Sequence, residues 1–213
     1  MAQARTGLKR SRSAGRALSL RNGWSGAEAQ MRVRFLSSNE RKIAETQAIL
    51  EGTSVEVIPV RRRLHEIQDA DLDHLVREKC VQAFRLIGRP VFVEHTGLFI
   101  EALNGLPGGL TRIFWDTLGA ERVAALFGGP DSRATARTRI GYCDGCAIRQ
   151  FEGEITGNIA PEPRGDAEGE WDGVFVPDGE TETFAEMGGR KNAISMRRAA
   201  LEALRAHLEG GSP

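Results

Sequence analysis

A chain of 213 residues that is 40% apolar and 27% charged has an ordinary globular composition, long enough for one sizeable core. Its 29 basic and 29 acidic residues cancel, so no global field directs it to nucleic acid or an anionic membrane, and a polyanion would have to be gripped locally. No apolar run approaches the ~18 residues of a membrane-spanning helix, the amino terminus lacks a secretory apolar centre, and three cysteines make no disulfide framework, so a soluble, cytoplasmic protein is expected.

Residues 1–30 hold six basic side chains (Arg5, Lys9, Arg10, Arg12, Arg16, Arg21) against Glu28, with no sustained periodicity. They read as a disordered basic arm, an Arg-rich organelle presequence, or translation from an upstream start, since Met31 directly precedes the first strand pattern. The last of these, or a plain floppy tail, is favoured. Residues 31–211 are then expected to form a single α/β domain, and the chain without residues 1–30 has a formal charge of −5.

Val33 and Phe35 alternate with Arg32 and Arg34, which predicts a strand ending at Leu36. Ser37-Ser38-Asn39 supplies capping side chains for a helix over Glu40 to Leu50. A strand, a polar turn and a helix amino terminus expose backbone N–H groups, and Lys42 adds a cation, so phosphate suits the turn; a capped surface helix has the same pattern. Val55 to Val60 is a second strand. Arg61-Arg62-Arg63 follows, most simply a solvated loop, then Leu64-His65-Glu66-Ile67-Gln68 and the acids Asp69, Asp71 and Asp73. Leu72, Leu75, Val76, Cys80, Ala83, Phe84 and Ile87 share one helical face, stopped by Gly88 and Pro90. Lys79 lies at the edge of that stripe, either as a snorkelling rim residue or as a ligand contact.

The run Pro90-Val91-Phe92-Val93-Glu94-His95-Thr96-Gly97-Leu98 is a strand pattern that ends on two poor core residues. Either the strand delivers Glu94 and His95 to a site at its carboxyl end, or the pair is solvated at a plain turn. Leu98 to Leu103 can form another strand, and Asn104 to Gly109 is a dense turn signal. Arg112 to Leu118 and Ala120 to Phe127 read as two short helices. Ala134 to Cys143 and Cys146 to Ile159 read as a long hairpin around Asp144-Gly145, a better account of the two cysteines than half a zinc site. A long loop runs from Pro161 to Gly173, then a strand over Val174 to Val176. Ile194, Arg197, Leu201, Leu204 and Leu208 mark one face of a closing helix. Strands interleaved with helices, plus the hairpin, predict an α/β fold with a mixed sheet.

Several stretches together resemble the inosine triphosphate pyrophosphatase family over essentially residues 31–211. Ser37-Ser38-Asn39-Glu40-Arg41-Lys42-Ile43-Ala44-Glu45 is similar to T/S-G-N-x-x-K-x-x-E, and Glu94-His95-Thr96-Gly97-Leu98 to (D/E)-D-(S/T)-G-L. Gly153-Glu154-Ile155 with Pro163-Arg164-Gly165 matches a third block, Trp171-Asp172 falls on F-G-(W/Y)-D-P, and Lys191-Asn192-Ala193-Ile194-Ser195-Met196-Arg197 resembles K-N-x-x-S-H-R. The resemblance implies an elongated mixed central sheet with flanking helices in two lobes, a nucleotide cleft between them, Mg²⁺ and a homodimer. It implies hydrolysis of non-standard purine triphosphates of the ITP, dITP and XTP type to monophosphate and pyrophosphate. Triphosphate contacts would fall to Asn39, Lys42 and Lys191, with Lys79, Ser37, Thr96 and Gly97 as further nucleotide contacts. Glu66 and Glu94 would hold metal or position water, and Trp171, Asp172 and Arg197 would surround the base. Discrimination against adenine through an unpaired polar group would be worth about 1 to 3 kcal/mol.

The departures from the family pattern cluster at that site. His95 stands where the family's water-activating acid is expected, Gly169-Glu170 replaces the F-G that precedes Trp171, Met196 replaces a histidine, and Ser38 replaces a glycine. His95 can serve as a general base, and loss of the usual base costs about 10² to 10⁴ in rate. Hydrolysis is therefore expected to be slow or redirected. The alternative is a catalytically weak sensor of dITP-like nucleotides that signals to a partner effector protein.

Overall fold

The computed structural model describes residues 31–130, 132–166 and 171–210, so the expected basic arm lies outside the described residues. Three strands form where the apolar pattern predicts: β1 (Met31–Leu36), β2 (Val55–Val60) and β3 (Val91–Ile100). The intervening helices α1 (Glu40–Leu50) and α2 (Leu72–Ile87) are the crossovers that parallel strands require, and β2, β1 and β3 run parallel. Gly88 ends α2 in the left-handed conformation, at φ 65°, as its position after the apolar stripe predicts.

The rest of the sheet is antiparallel. β5 (Arg133–Cys143) pairs with β3 along ten residues, β6 (Ile148–Ile159) pairs with β5, and β7 (Phe175–Pro177) pairs with β6. A two-residue β4 (Pro107–Gly108) adds to β3 off the main path, giving the order β2-β1-β3-β5-β6-β7. α3 (Thr111–Phe127) breaks at Gly119, φ 74° and ψ 167°, so it is in effect the two short helices expected. α4 (Phe184–Met187), with its Thr183–Glu186 capping box, and α5 (Met196–Leu208), capped by Ser195, complete the chain.

Some boundaries differ from expectation for physical reasons. β3 does not stop near Gly97 and restart; its ladder with β5 runs to Ile100, and residues 101–103 form a 3₁₀ turn instead of more strand. The hairpin turns at Gly145-Cys146, one residue later than expected, because Asp144 N–H still bonds to Ala147 O. Ile194 is outside α5 and 39% exposed, so the closing helix starts at the Ser195 cap. Cys80 and Cys143 are buried and Cys146 exposed, all as free thiols, and burial pushes Cys80 up to about 12.

The two-residue period of β3 is what positions the site. Phe92 packs with Phe35 at 4.6 Å between ring centroids, in a core with α1 and α5 residues such as Ile43 and Leu201. Val91 and Val93 point the other way, into a core with Leu75, Val76 and Cys80 of α2. Glu94 therefore continues the α1/α5 face and His95 the α2 face. A third core, around Trp115, Phe175 and Phe184, fills the far end of the sheet.

Candidate active site

The turn after β1 is built by its own side chains. Asn39 caps α1, accepting from Lys42 N–H at 3.1 Å, while Asn39 N–H donates to Ser37 Oγ at 3.2 Å. Ser37 N–H is tied to Val60 O at 3.1 Å, so the carboxyl ends of β1 and β2 stay side by side. With α1 fixed, Lys42 in its first turn reaches inward and places Nζ 2.9 Å from Glu94 Oε1.

Glu94 is the buried centre of the site, with a side chain 1% exposed. Arg197, in the first turn of α5, clamps it with Nε to Oε2 at 2.9 Å and Nη2 to Oε1 at 3.1 Å. Burial works to raise the Glu94 pKa, but Arg197 and Lys42 outweigh it and hold the carboxyl well below the usual range. The same guanidinium also bonds Glu45, one helical turn beyond Lys42 on α1. Glu45 then pairs with Lys191 at 2.7 Å, and Lys191 pairs with Asp172. Burial acts to lower the Lys191 pKa, yet Asp172 and Glu45 raise it overall. Three cations and three anions thus form one chain of charge from the Ser37–Asn39 turn to Trp171-Asp172.

The opposite face of β3 carries a second group. His95 is buried, and its Nε2 lies 3.0 Å from Gly109 O; a carbonyl can only accept, so Nε2 carries the hydrogen and Nδ1 keeps the lone pair. Burial, reinforced by Lys79 and Lys42, pushes the imidazole down to about 3, so it is neutral at pH 7. Lys79 donates to Glu94 O at 3.0 Å and pairs with Glu66 at 2.5 Å. Burial lowers the Lys79 pKa; for Glu66 burial acts upward and Lys79 wins, holding it low.

These groups line one cleft of about 1260 Å³. It brings together Ser37, Asn39, Lys42, Glu66, Lys79, Glu94, His95, Thr96, Trp171, Asp172, Lys191 and Arg197. Gly97 does not line it. A Cβ there would lie 2.5 Å from Gly108 O, so this glycine permits the close approach of β4 and is not a contact of the cleft. Thr96 Oγ1 shares a 2.8 Å hydrogen bond with Thr138 Oγ1. Trp171 lines the cleft and stands edge-on to Phe175 at 5.7 Å, while the replaced Gly169-Glu170 pair lies outside the described residues. Met196 packs into the far core and also borders the cleft.

Sequence reasoning missed Glu45, Trp115, Arg62 and Arg63 as cleft residues. Glu45 had a signal: three residues after Lys42, it shares that face of α1. Among the described residues no three His, Cys, Asp or Glu side chains form a ready metal cage. Both Glu94 oxygens are engaged by Arg197 and Lys42, whereas Glu66 pairs through Oε1 alone. That donor set fits an ion such as Mg²⁺, which usually takes one or two carboxylates and completes its shell with phosphate oxygens and water. Glu66 is the better-placed ligand, since Glu94 is more deeply buried and already holds two cations.

A mixed sheet with a cationic cleft at the carboxyl ends of its parallel strands is an arrangement in which α/β proteins commonly bind ligands. The chain belongs to the Ham1 family, whose profile matches residues 33–207. It is 40% identical over 175 residues to a dITP/XTP pyrophosphatase of Methanopyrus kandleri, covering 81% of this chain and 93% of that one. It is also 40% identical over 182 residues to an inosine triphosphate pyrophosphatase of Yarrowia lipolytica, covering 84% and 96%. Among solved structures, a HAM1 protein from Coxiella burnetii superposes with a TM-score of 0.72 at 26% identity, covering 85% of this chain and all of that one. The Staphylococcus aureus Ham1 protein, at 23% identity and a TM-score of 0.67, shares the fold.

Proposed function

We propose that this protein hydrolyses non-standard purine nucleoside triphosphates of the ITP, dITP and XTP type to monophosphate and pyrophosphate. The observation that carries this reading is the convergence of Lys42, Lys79 and Lys191 on one cleft, each held by a carboxylate that a polyphosphate can replace. A triphosphate carries about four negative charges, and charge-assisted bonds of this kind are the strong ones. Support comes also from the relatives named above.

The triphosphate lies along the Ser37–Lys42 turn, and the purine lies towards Trp171 and Asp172. Asp172 accepts from a purine ring N–H, and Arg197 donates to the oxo group once Glu94 or Glu45 releases part of its guanidinium. His95, held as the Nε2–H tautomer by Gly109, offers Nδ1 to the attacking water. Bound phosphate offsets the lysine charges that depress His95, so its basicity rises when substrate is present. Water adds across the α–β phosphoanhydride, the bridging P–O bond breaks, and the water proton passes to Nδ1. Mg²⁺, held by Glu66 with Glu94 in reserve, would neutralise charge developing on the phosphate oxygens. Residues 31–211 act as one α/β domain, as a homodimer in the cytoplasm.

A second reading rests on His95 itself. A neutral imidazole brings no negative charge to a position where the family expects a carboxylate, and burial beside Lys79 and Lys42 makes it a weak base. A site that holds the nucleotide and cleaves it slowly would serve a sensor that reports to an effector protein. Pyrophosphate release and equilibrium binding, measured together on ITP, dITP and XTP, separate the two. Turnover lost about 10² to 10⁴-fold in His95→Ala supports the hydrolase. Tight binding without turnover, and turnover gained in His95→Asp, supports the sensor. Failure to bind any of the three contradicts both.

A further inference from the structure

We propose that the cleft has a subsite for a phosphate beyond the third, formed by Arg62 and Arg63, so that nucleotides with an extended polyphosphate chain are substrates. This rests on the triphosphate reading above and extends it.

The Arg61-Arg62-Arg63 run is exposed, as expected of a solvated loop, but it is anchored at the rim of the cleft. Leu36 and Val60 are register partners at the ends of β1 and β2, so the run begins beside Ser37 and the phosphate turn. Arg62 N–H folds back to Val60 O at 3.0 Å, and Arg61 turns away to pair with Glu40 at 2.8 Å, which pins the loop against the start of α1. Arg62 and Arg63 are left lining the cleft, and among the described residues neither guanidinium has an acidic partner. Lys42, Lys79, Lys191 and Arg197 all do. Among the described residues the cleft lining holds eight basic against five acidic side chains, while the chain as a whole is balanced.

The sheet sets the direction in which that excess lies. Trp171 and Asp172 lead into β7 at one edge, the phosphate turn follows β1, and Arg62 and Arg63 follow β2 at the other edge. A ligand with its base at Trp171 and its phosphates at Ser37–Lys42 points its free end at the arginines. Neighbouring strands are about 4.8 Å apart, enough room for roughly one further phosphate past the turn. The cleft volume of about 1260 Å³ also exceeds the roughly 300–1,000 Å³ of a usual small-molecule pocket. Arginine is suited to the task, because its planar fork binds two phosphate oxygens at once.

Two ligands offer that chemistry: a nucleoside tetraphosphate, whose fourth phosphate is terminal, and a dinucleoside tetraphosphate, whose corresponding phosphate is internal. Water adding across the α–β anhydride gives inosine monophosphate and tripolyphosphate from the first, and inosine monophosphate and inosine triphosphate from the second.

The test compares the full chain with its R62Q/R63Q variant in Mg²⁺ at 0.15 M salt, where unpaired surface charges are screened beyond about 8 Å. The substrates are inosine triphosphate, inosine tetraphosphate and diinosine tetraphosphate, and the thermal midpoint reports folding of the variant. The expected result is cleavage of both triphosphate and tetraphosphate by the native chain. In the variant the tetraphosphate-to-triphosphate ratio of kcat/KM falls about tenfold, mostly through KM. A loss confined to inosine tetraphosphate places a terminal phosphate at the arginines, and a loss with both extended ligands shows that an internal one suffices. An unchanged ratio, or a native chain that cleaves triphosphate and not tetraphosphate, overturns the subsite alone. Cleavage of tetraphosphate without triphosphate supports the subsite and overturns the triphosphate reading, and inertness to all three overturns both.

Discussion

Replacing Glu94 with Gln tests whether the buried charge chain holds the two ends of the cleft together. The substitution keeps the shape and removes the negative charge from a side chain that is 1% exposed and bonded to both Arg197 and Lys42. Breaking a buried ion pair by removing one partner typically costs about 3 to 5 kcal/mol. Arg197, 7% exposed, retains Glu45 as a counter-ion, so the expected cost lies at the lower end, about 3 kcal/mol. For a chain of this size that corresponds to a fall of roughly 6 to 12 °C in Tm. Urea unfolding at pH 7 of E94Q, R197M and the double variant measures both the single costs and the coupling. The double variant is expected to be more stable than the two single losses added together, because neither unpaired charge then remains buried. A single-variant cost below about 0.5 kcal/mol, or strictly additive losses, would refute the pairing as the source of stability.

Acid should destabilise the protein earlier than carboxylate titration alone predicts. His95 has an ordinary value near 6.5 and is pushed to about 3 when folded, so below pH 6.5 the unfolded chain binds a proton that the folded chain does not. Stability contributed by the neutral imidazole is complete above pH 6.5 and declines as pH falls towards 3, by about 2 kcal/mol between pH 7 and pH 5. H95N should flatten this slope in urea titrations at the two pH values, and an unchanged slope contradicts the assignment. Gly97→Ala should cost about 2 to 3 kcal/mol, since its Cβ would meet Gly108 O at 2.5 Å and backbone yields poorly; denaturation within 0.5 kcal/mol of the native chain contradicts that packing. Lys191→Met leaves Glu45 and Asp172 facing each other without their shared cation, and is expected to raise KM for the triphosphate more than tenfold while lowering Tm. An unchanged KM would remove Lys191 from the nucleotide site.

Local chemistry made half of this site legible in the sequence. The Ser37-Ser38-Asn39 turn, the α1 start and Lys42 follow from capping preferences and periodicity, which act over a few residues. The Glu94-His95 pair stood out because neither residue suits a strand core. What sequence could not show is how their charges are met. Arg197 reaches Glu94 across 103 residues of chain, and Gly109 accepts from His95 only because β4 folds back on β3. Lys79 looked like a rim residue on the helical wheel, yet the Glu94 carbonyl and Glu66 carboxylate let it be buried. β3 ran past Gly97 for a similar reason, since its ladder with β5 is set by distant pairing and not by the glycine. The arginine run is solvated as expected, and only the pairing of β2 with β1 brings it to the rim of the cleft.

Pyrophosphate release from a panel of ITP, dITP, XTP, ATP and GTP, with Mg²⁺ and the full chain, tests the central claim most directly. The predicted result is turnover of ITP, dITP and XTP, with ATP at least about tenfold slower, as an unpaired polar group at the base requires. Equal turnover of all five, or turnover of ATP and GTP alone, would contradict it.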